Sequence, residues 1–163
     1  MKTFNPQPVL ASSSDELYDP FSEEARTSPS NRHIQFEPAP CPIDGVHLKL
    51  EDCPTGEAKL TSGFRLPARY VIHTVGPRWK GGKKGEAKLL ASCYQKSLRI
   101  AADNKMATVA FPAISCGIYG YPLEEAVAIA LRETRAFLAK YDHPQKVNFC
   151  CFDEKTAEAY RNV

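Results

Sequence analysis

The chain has 163 residues, 43% of them hydrophobic and 25% charged, proportions that suit one globular domain and exclude a collagen-like or low-complexity chain. No apolar run is long enough to span a bilayer as a helix, and no membrane partner is expected. The net charge of +2 hides an asymmetry, because residues 1–52 carry 4 Lys/Arg against 9 Asp/Glu while residues 53–163 carry 17 against 10.

Residues 1–42 are acidic, hold seven of the 13 prolines and show no sustained helix or strand period. They read as a largely disordered leader, or as an arm packed along a domain formed by residues 43–163. Within the leader, Ser12 to Glu16 suits the cap of a single turn that Pro20 limits, and His33 to Phe36 suits a short strand. Ile43 to Leu50 alternates apolar and polar residues like a strand, but Asp44-Gly45 also suits a helix start. Glu57 to Thr61 is a short strand candidate, and Tyr70 to Val75 is an apolar, β-branched run stopped by Gly76-Pro77, as in a buried central strand.

Ala87 to Ala102 places Leu90, Cys93, Tyr94, Ser97, Leu98 and Ala101 on one helical face. Thr108 to Ile114 is the next buried strand, with Pro112 where it would leave the sheet. Pro122 suits the first position of a helix reaching about Lys140. Lys146 to Phe152 reads as a third buried strand and Thr156 to Arg161 as a last helix. This alternation predicts an α/β fold with mostly parallel strands and helices on both faces. Ligands of such sheets bind beyond the carboxyl ends of the strands. The ends at His73 to Gly76, Ser115 to Gly120 and Phe152-Asp153 are therefore expected to form one site.

Ser115, Cys116, Gly117, Ile118, Tyr119 and Gly120 offer successive N–H groups and no acidic side chain just before a helix. That arrangement suits a phosphate or diphosphate. Tyr119 is placed to cover a sugar, or else packs on the end of the sheet. Phe152 is placed to stack on a base, or else belongs to the core. Cys116 is a conceivable nucleophile if the helix end lowers its pKa, but no base accompanies it, and His73 reads as a sheet residue.

The six cysteines show no CxxC and no metal-ligand spacing. With no signal-peptide pattern, a reducing, intracellular setting, cytoplasmic or nuclear, is expected, without metal or cofactor. The cluster Arg78 to Lys88 is Gly-rich and reads as a solvated loop. No basic run interleaved with aromatics marks a nucleic-acid groove.

From about Asp52 to Val163 the chain resembles a macro domain, in its ADP-ribose-processing branch. The motifs that carry the resemblance are TGEAKLTSGFRLPARYVIHTVGP, VAFPAISCGIYGYPLEEA and the strand ending CFDE. The resemblance implies a three-layer α/β/α sandwich around a mixed sheet, with ADP-ribose, free or protein-attached, as ligand. It implies that the Ser115 to Gly120 loop wraps the diphosphate, that Tyr119 lies on the distal ribose and Phe152 against adenine. It also implies metal-independent hydrolysis of ADP-ribosyl esters or O-acetyl-ADP-ribose, with Asp44 as the water-activating or ribose-holding carboxylate. Residues 1–42 match neither the family's first two strands nor its Asn-Ala-Ala-Asn motif and glycine-rich loop. Three expectations follow: the leader rebuilds part of the sheet, the chain dimerises, or the sequence is a truncated product. The functional alternatives are a non-catalytic ADP-ribose reader and an inactive fragment.

Overall fold

The computed structural model describes residues 7–12, 34–38, 53–64 and 66–163. In chain order the elements are strands β1 (Gln7–Ser12), β2 (Ile34–Pro38), β3 (Ala58–Ser62) and β4 (Tyr70–Thr74), helix α1 (Glu86–Asp103), strand β5 (Thr108–Pro112), helix α2 (Leu123–Leu138), strand β6 (Lys146–Cys151) and helix α3 (Glu154–Arg161). The strands form a single mixed sheet in the order β2-β6-β5-β1-β4-β3. β2 and β5 flank β6 in parallel, whereas β1 pairs antiparallel with both β4 and β5, and β3 pairs antiparallel with β4. β2, β4, β5 and β6 therefore share one direction.

Residues 1–42 are thus not without elements. Residues 7–12, for which the sequence predicts no strand, lie between β4 and β5, with Leu10 opposite both Val71 and Ala110. The short strand expected at His33 to Phe36 is observed as β2, one residue later in its start, with Phe36 opposite Phe149. The expected turn near Leu17 and the segment from Ile43 to Leu50 lie outside the described residues.

Alternation along β5 and β6 explains the core. Val109, Phe111, Val147, Phe149 and Cys151 are buried, while their neighbours in the strands are only partly so. Tyr94 from α1 and Tyr160 from α3 meet this face. Ring centroids lie 5.1 Å apart for Tyr94–Phe111, 5.9 Å for Phe111–Phe149 and 4.7 Å for Phe149–Tyr160, distances at which offset and tilted aromatic pairs attract. α1 covers β3 and β4, α3 covers β2 and β6, and α2 packs between the two helices. The described helices thus lie on one face of the sheet, and no helix of an opposite layer is among the described residues.

Candidate ligand-binding site

Strand direction decides where the site lies. β4, β5 and β6 run the same way, so the chain leaves the sheet after Thr74, Pro112 and Cys151 along one edge. The three patches expected to meet do share that edge.

The loop from β5 to α2 is a compact turn. Ser115 and Gly120 both take left-handed backbone, at φ 67° and 66°, which costs about 1–2 kcal/mol for a residue with a Cβ. The tight fit beneath the turn holds Ser115 there. A Cβ added to Gly76 would stand 2.2 Å from Ser115 Oγ and 2.6 Å from Ile114 Cγ2, so only glycine lets the segment after β4 lie so close. Within the turn, Cys116 N–H donates to Ala113 O (3.2 Å), Gly120 N–H to Gly117 O (2.9 Å) and Tyr121 N–H to Ser115 O (3.0 Å). Among the described residues, no backbone carbonyl accepts from the N–H groups of Gly117, Ile118 or Tyr119. Gly117 and Ile118 are exposed, and a Cβ added to Gly117 would meet no atom within 4 Å. Successive free donors over open space are what an anion requires.

The segment after β4 buttresses the turn from the side. Trp79 N–H donates to Tyr119 O at 2.8 Å. The Trp79 ring packs on Tyr121 at 4.6 Å, and the Arg78 guanidinium stands 5.7 Å from the centroid of the half-buried Tyr119 ring, within cation–π range. Glu86, at the start of α1, is buried, and its carboxylate accepts from Lys80 N (3.1 Å) and Lys84 N (2.6 Å). Hydrogen bonds from its own N–H and from those of Lys84, Lys80 and Gly82 hold the carboxyl below the usual carboxylate range. Trp79, Arg78 and Glu86 escaped the sequence reading. Their signal was a single acid amid five cations, beside the chain's only tryptophan.

At the end of β6, Phe152 is 91% exposed, so it is not a core residue. The backbone just after it is fixed by Asp153, whose side chain caps α3 by accepting from Thr156 N at 2.8 Å.

Two sequence readings require correction. The Cys116 thiol is not activated: burial, followed by the nearby Glu124, pushes its pKa up to about 11, and its Sγ lies 3.5 Å from Ile114 O. The approach to α2 also differs, because Pro122 is the N-cap rather than the first helical residue, and Glu124 and Glu125 occupy the first turn. Those carboxylates already complement the helix dipole, leaving the free N–H groups of the turn as the anion donors. Ser115 is 3% exposed, so its hydroxyl is not open to solvent. His73, as expected of a sheet residue, is buried in β4 with Nε2 2.8 Å from Thr61 Oγ1, and burial pushes its pKa down. Asp44 lies outside the described residues. Among the described residues, no three His, Cys, Asp or Glu side chains are grouped as a metal site would need.

A family model described as Macro domain matches residues 44–130. The chain belongs to the macro domain family. A macro domain-containing protein of Methanosarcina mazei is 54% identical over 114 residues, an alignment covering 70% of this chain and 61% of that protein. An O-acetyl-ADP-ribose deacetylase of Klebsiella pneumoniae is 53% identical over 112 residues, covering 69% of this chain and 64% of its own length. Among solved structures, an Oceanobacillus iheyensis macrodomain mutant with ADPR superposes with a TM-score of 0.65 at 43% identity, covering 69% of this chain and 60% of that one. The Trypanosoma brucei macrodomain in complex with ADP-ribose gives 0.62 at 41% identity, covering 68% and 46%. The chain spans 61% to 67% of the length of the first curated relatives it matches. The macro domain match begins at residue 44, so β1 and β2 lie outside it.

Proposed function

We propose that this macro domain binds ADP-ribose, free or attached to protein, at the edge where β4, β5 and β6 end. The observation that carries the reading is the turn at Ser115 to Gly120. It combines unpaired N–H groups at Gly117 to Tyr119 with open space above Gly117, and it lies on the same sheet edge as the exposed Phe152. In this reading the turn of Ser115, Cys116, Gly117, Ile118, Tyr119 and Gly120 forms one backbone cradle, and the diphosphate takes the free N–H groups of Gly117, Ile118 and Tyr119. The ring of Tyr119 borders the distal ribose, and Phe152 offers a face to adenine, since base–aromatic stacking contributes about 1–3 kcal/mol. The relatives solved with ADPR and with ADP-ribose support this ligand. Titration calorimetry of the full chain with ADP-ribose tests it. Saturable heat is expected, and none at millimolar ligand would sink the reading.

Turnover is the second part of the proposal, favoured by the 53% identity to a protein named O-acetyl-ADP-ribose deacetylase. The reaction would be hydrolysis of an ADP-ribosyl ester or of O-acetyl-ADP-ribose. Water adds across the ester bond, releasing the carboxylic acid and a free ribose hydroxyl. The cradle would hold the diphosphate so that the distal ribose meets a positioned water, and Asp44 is the carboxylate assigned to that water. We expect Asp44→Ala to lower the rate of acetate release by on the order of 100-fold, as for loss of a general base, while ADP-ribose still binds. No release by the wild-type chain would make it a reader of ADP-ribose, and an unchanged rate in the variant would remove Asp44 from the chemistry.

A further inference from the structure

The cluster Arg78 to Lys88 reads from the sequence as a solvated loop; in the structure its last residues open α1 and its first part, residues 78–84, is tied into a fixed shape. Arg78, Lys80, Lys83, Lys84 and, at the start of α1, Lys88 are all exposed. Among the described residues no carboxylate forms an ion pair with any of the five. Like charges so crowded would spread a free loop, but this one is tied down from inside. Buried Glu86 accepts from the backbone of Lys80 and Lys84, so those bonds use none of the lysine side-chain charge. Gly82 lies on the Trp79 ring, where an added Cβ would come within 2.9 Å of Cη2. The loop is contiguous with the candidate site through Trp79 N–H on Tyr119 O and Arg78 over the Tyr119 ring.

We infer that this cationic loop is a docking surface for the acidic stretch of protein that flanks an ADP-ribosylated residue. The inference rests on the ADP-ribose reading above and names the wider partner of the same site. Charge complementarity selects a polyanion, and the fixed loop lowers the entropy lost on docking. The choice of acidic protein over nucleic acid comes from the aromatic side chain. A single strand needs free ring faces for its bases. The loop's only aromatic is Trp79, half-buried between Gly82 and Tyr121.

The test compares free ADP-ribose with two short synthetic peptides that carry ADP-ribose through a stable amide linkage, one flanked by glutamates and one by glutamines. The wild-type chain should bind the glutamate-flanked peptide about 10-fold more tightly at low ionic strength, with the advantage shrinking as salt screens it. The variant with Lys83→Ala and Lys84→Ala keeps the backbone bonds to Glu86. It should bind free ADP-ribose as the wild type does and lose the preference for glutamate flanks. Equal affinity of the wild type for both peptides overturns the inference, and so does a preference that survives in the variant. An oligothymidine strand that binds with the same lysine dependence, more tightly than the glutamate-flanked peptide, would reassign the surface to nucleic acid and also overturn it. If the wild type fails to bind free ADP-ribose, the ligand reading fails. Lysine-dependent capture of the glutamate peptide without ADP-ribose would still support the surface, and its absence would overturn both.

Discussion

Two glycines separate what the turn needs to fold from what it needs to bind. A Cβ at Gly76 would fall 2.2 Å from Ser115 Oγ, while one at Gly117 meets nothing within 4 Å. Gly76→Ala must displace Ser115 and Ile114, and overpacking of that kind costs about 1–3 kcal/mol. Chemical denaturation should show that loss, and wild-type stability in the variant would refute the close packing beneath the turn. Gly117→Glu is expected to leave the unfolding midpoint almost unchanged, because its side chain enters open space. It should abolish ADP-ribose binding in calorimetry, since bulk and negative charge would occupy the anion position. Retained affinity would remove Gly117 from the cradle. Together the pair distinguishes a folding glycine from a binding one, which the two residue names do not.

The buried carboxylate of Glu86 acts on an element, the loop between β4 and α1. Its folded pKa lies below the ordinary carboxylate value because backbone N–H groups stabilise the anion. Its contribution is therefore fully present above the ordinary pKa and is lost as pH falls through the lowered folded value. Trp79, the chain's only tryptophan, packs on Tyr121 and under Gly82 and so reports this loop. Glu86→Gln keeps one acceptor but places an amide donor against backbone donors. We expect a red-shifted Trp79 emission at neutral pH, together with loss of the acid-induced emission change attributable to this carboxyl in the wild type. Emission identical to wild type would show that the carboxylate does not organise the loop.

At the scale of the whole molecule the sheet depends on a strand from the acidic leader. β1 is hydrogen-bonded on one side to β4 and on the other to β5, joining the half of the sheet with β2, β5 and β6 to the half with β3 and β4. Deleting residues 1–12 would leave the facing edges of β4 and β5 unpaired, and exposed edges invite association between chains. Size-exclusion chromatography should show the deleted chain as aggregate or higher oligomer. A deletion variant that stays monomeric and as stable as the full chain would show that β1 adds nothing to the sheet. With β2, which also lies in the leader, β1 completes a sheet whose remaining strands lie within or after the macro domain match.

Local pattern determined much of this protein. The apolar runs at Tyr70 to Val75, Thr108 to Ile114 and Lys146 to Phe152, and the helical face from Leu90 to Ala101, are each decided by neighbours a few residues away. They reappear as β4, β5, β6 and α1 within a residue or two at most boundaries. The macro domain resemblance rests on the same stretches, so family and loop were both legible in the letters. What residues distant in the chain contribute was not. β1 has no strand signature of its own, because Pro8 within it, Pro6 just before it and a short length hide a segment whose partners lie some 60 and 100 residues away. Cys116 reads as an activated thiol when the helix alone is considered, and only burial together with Glu124 reverses the direction of its shift. Glu86 reads as one charge in a basic loop until folding turns the backbone N–H groups of Lys80 and Lys84 toward it. Periodicity reports which face of an element is buried. Pairing, desolvation and the direction of backbone donors are set by what the fold brings against that face.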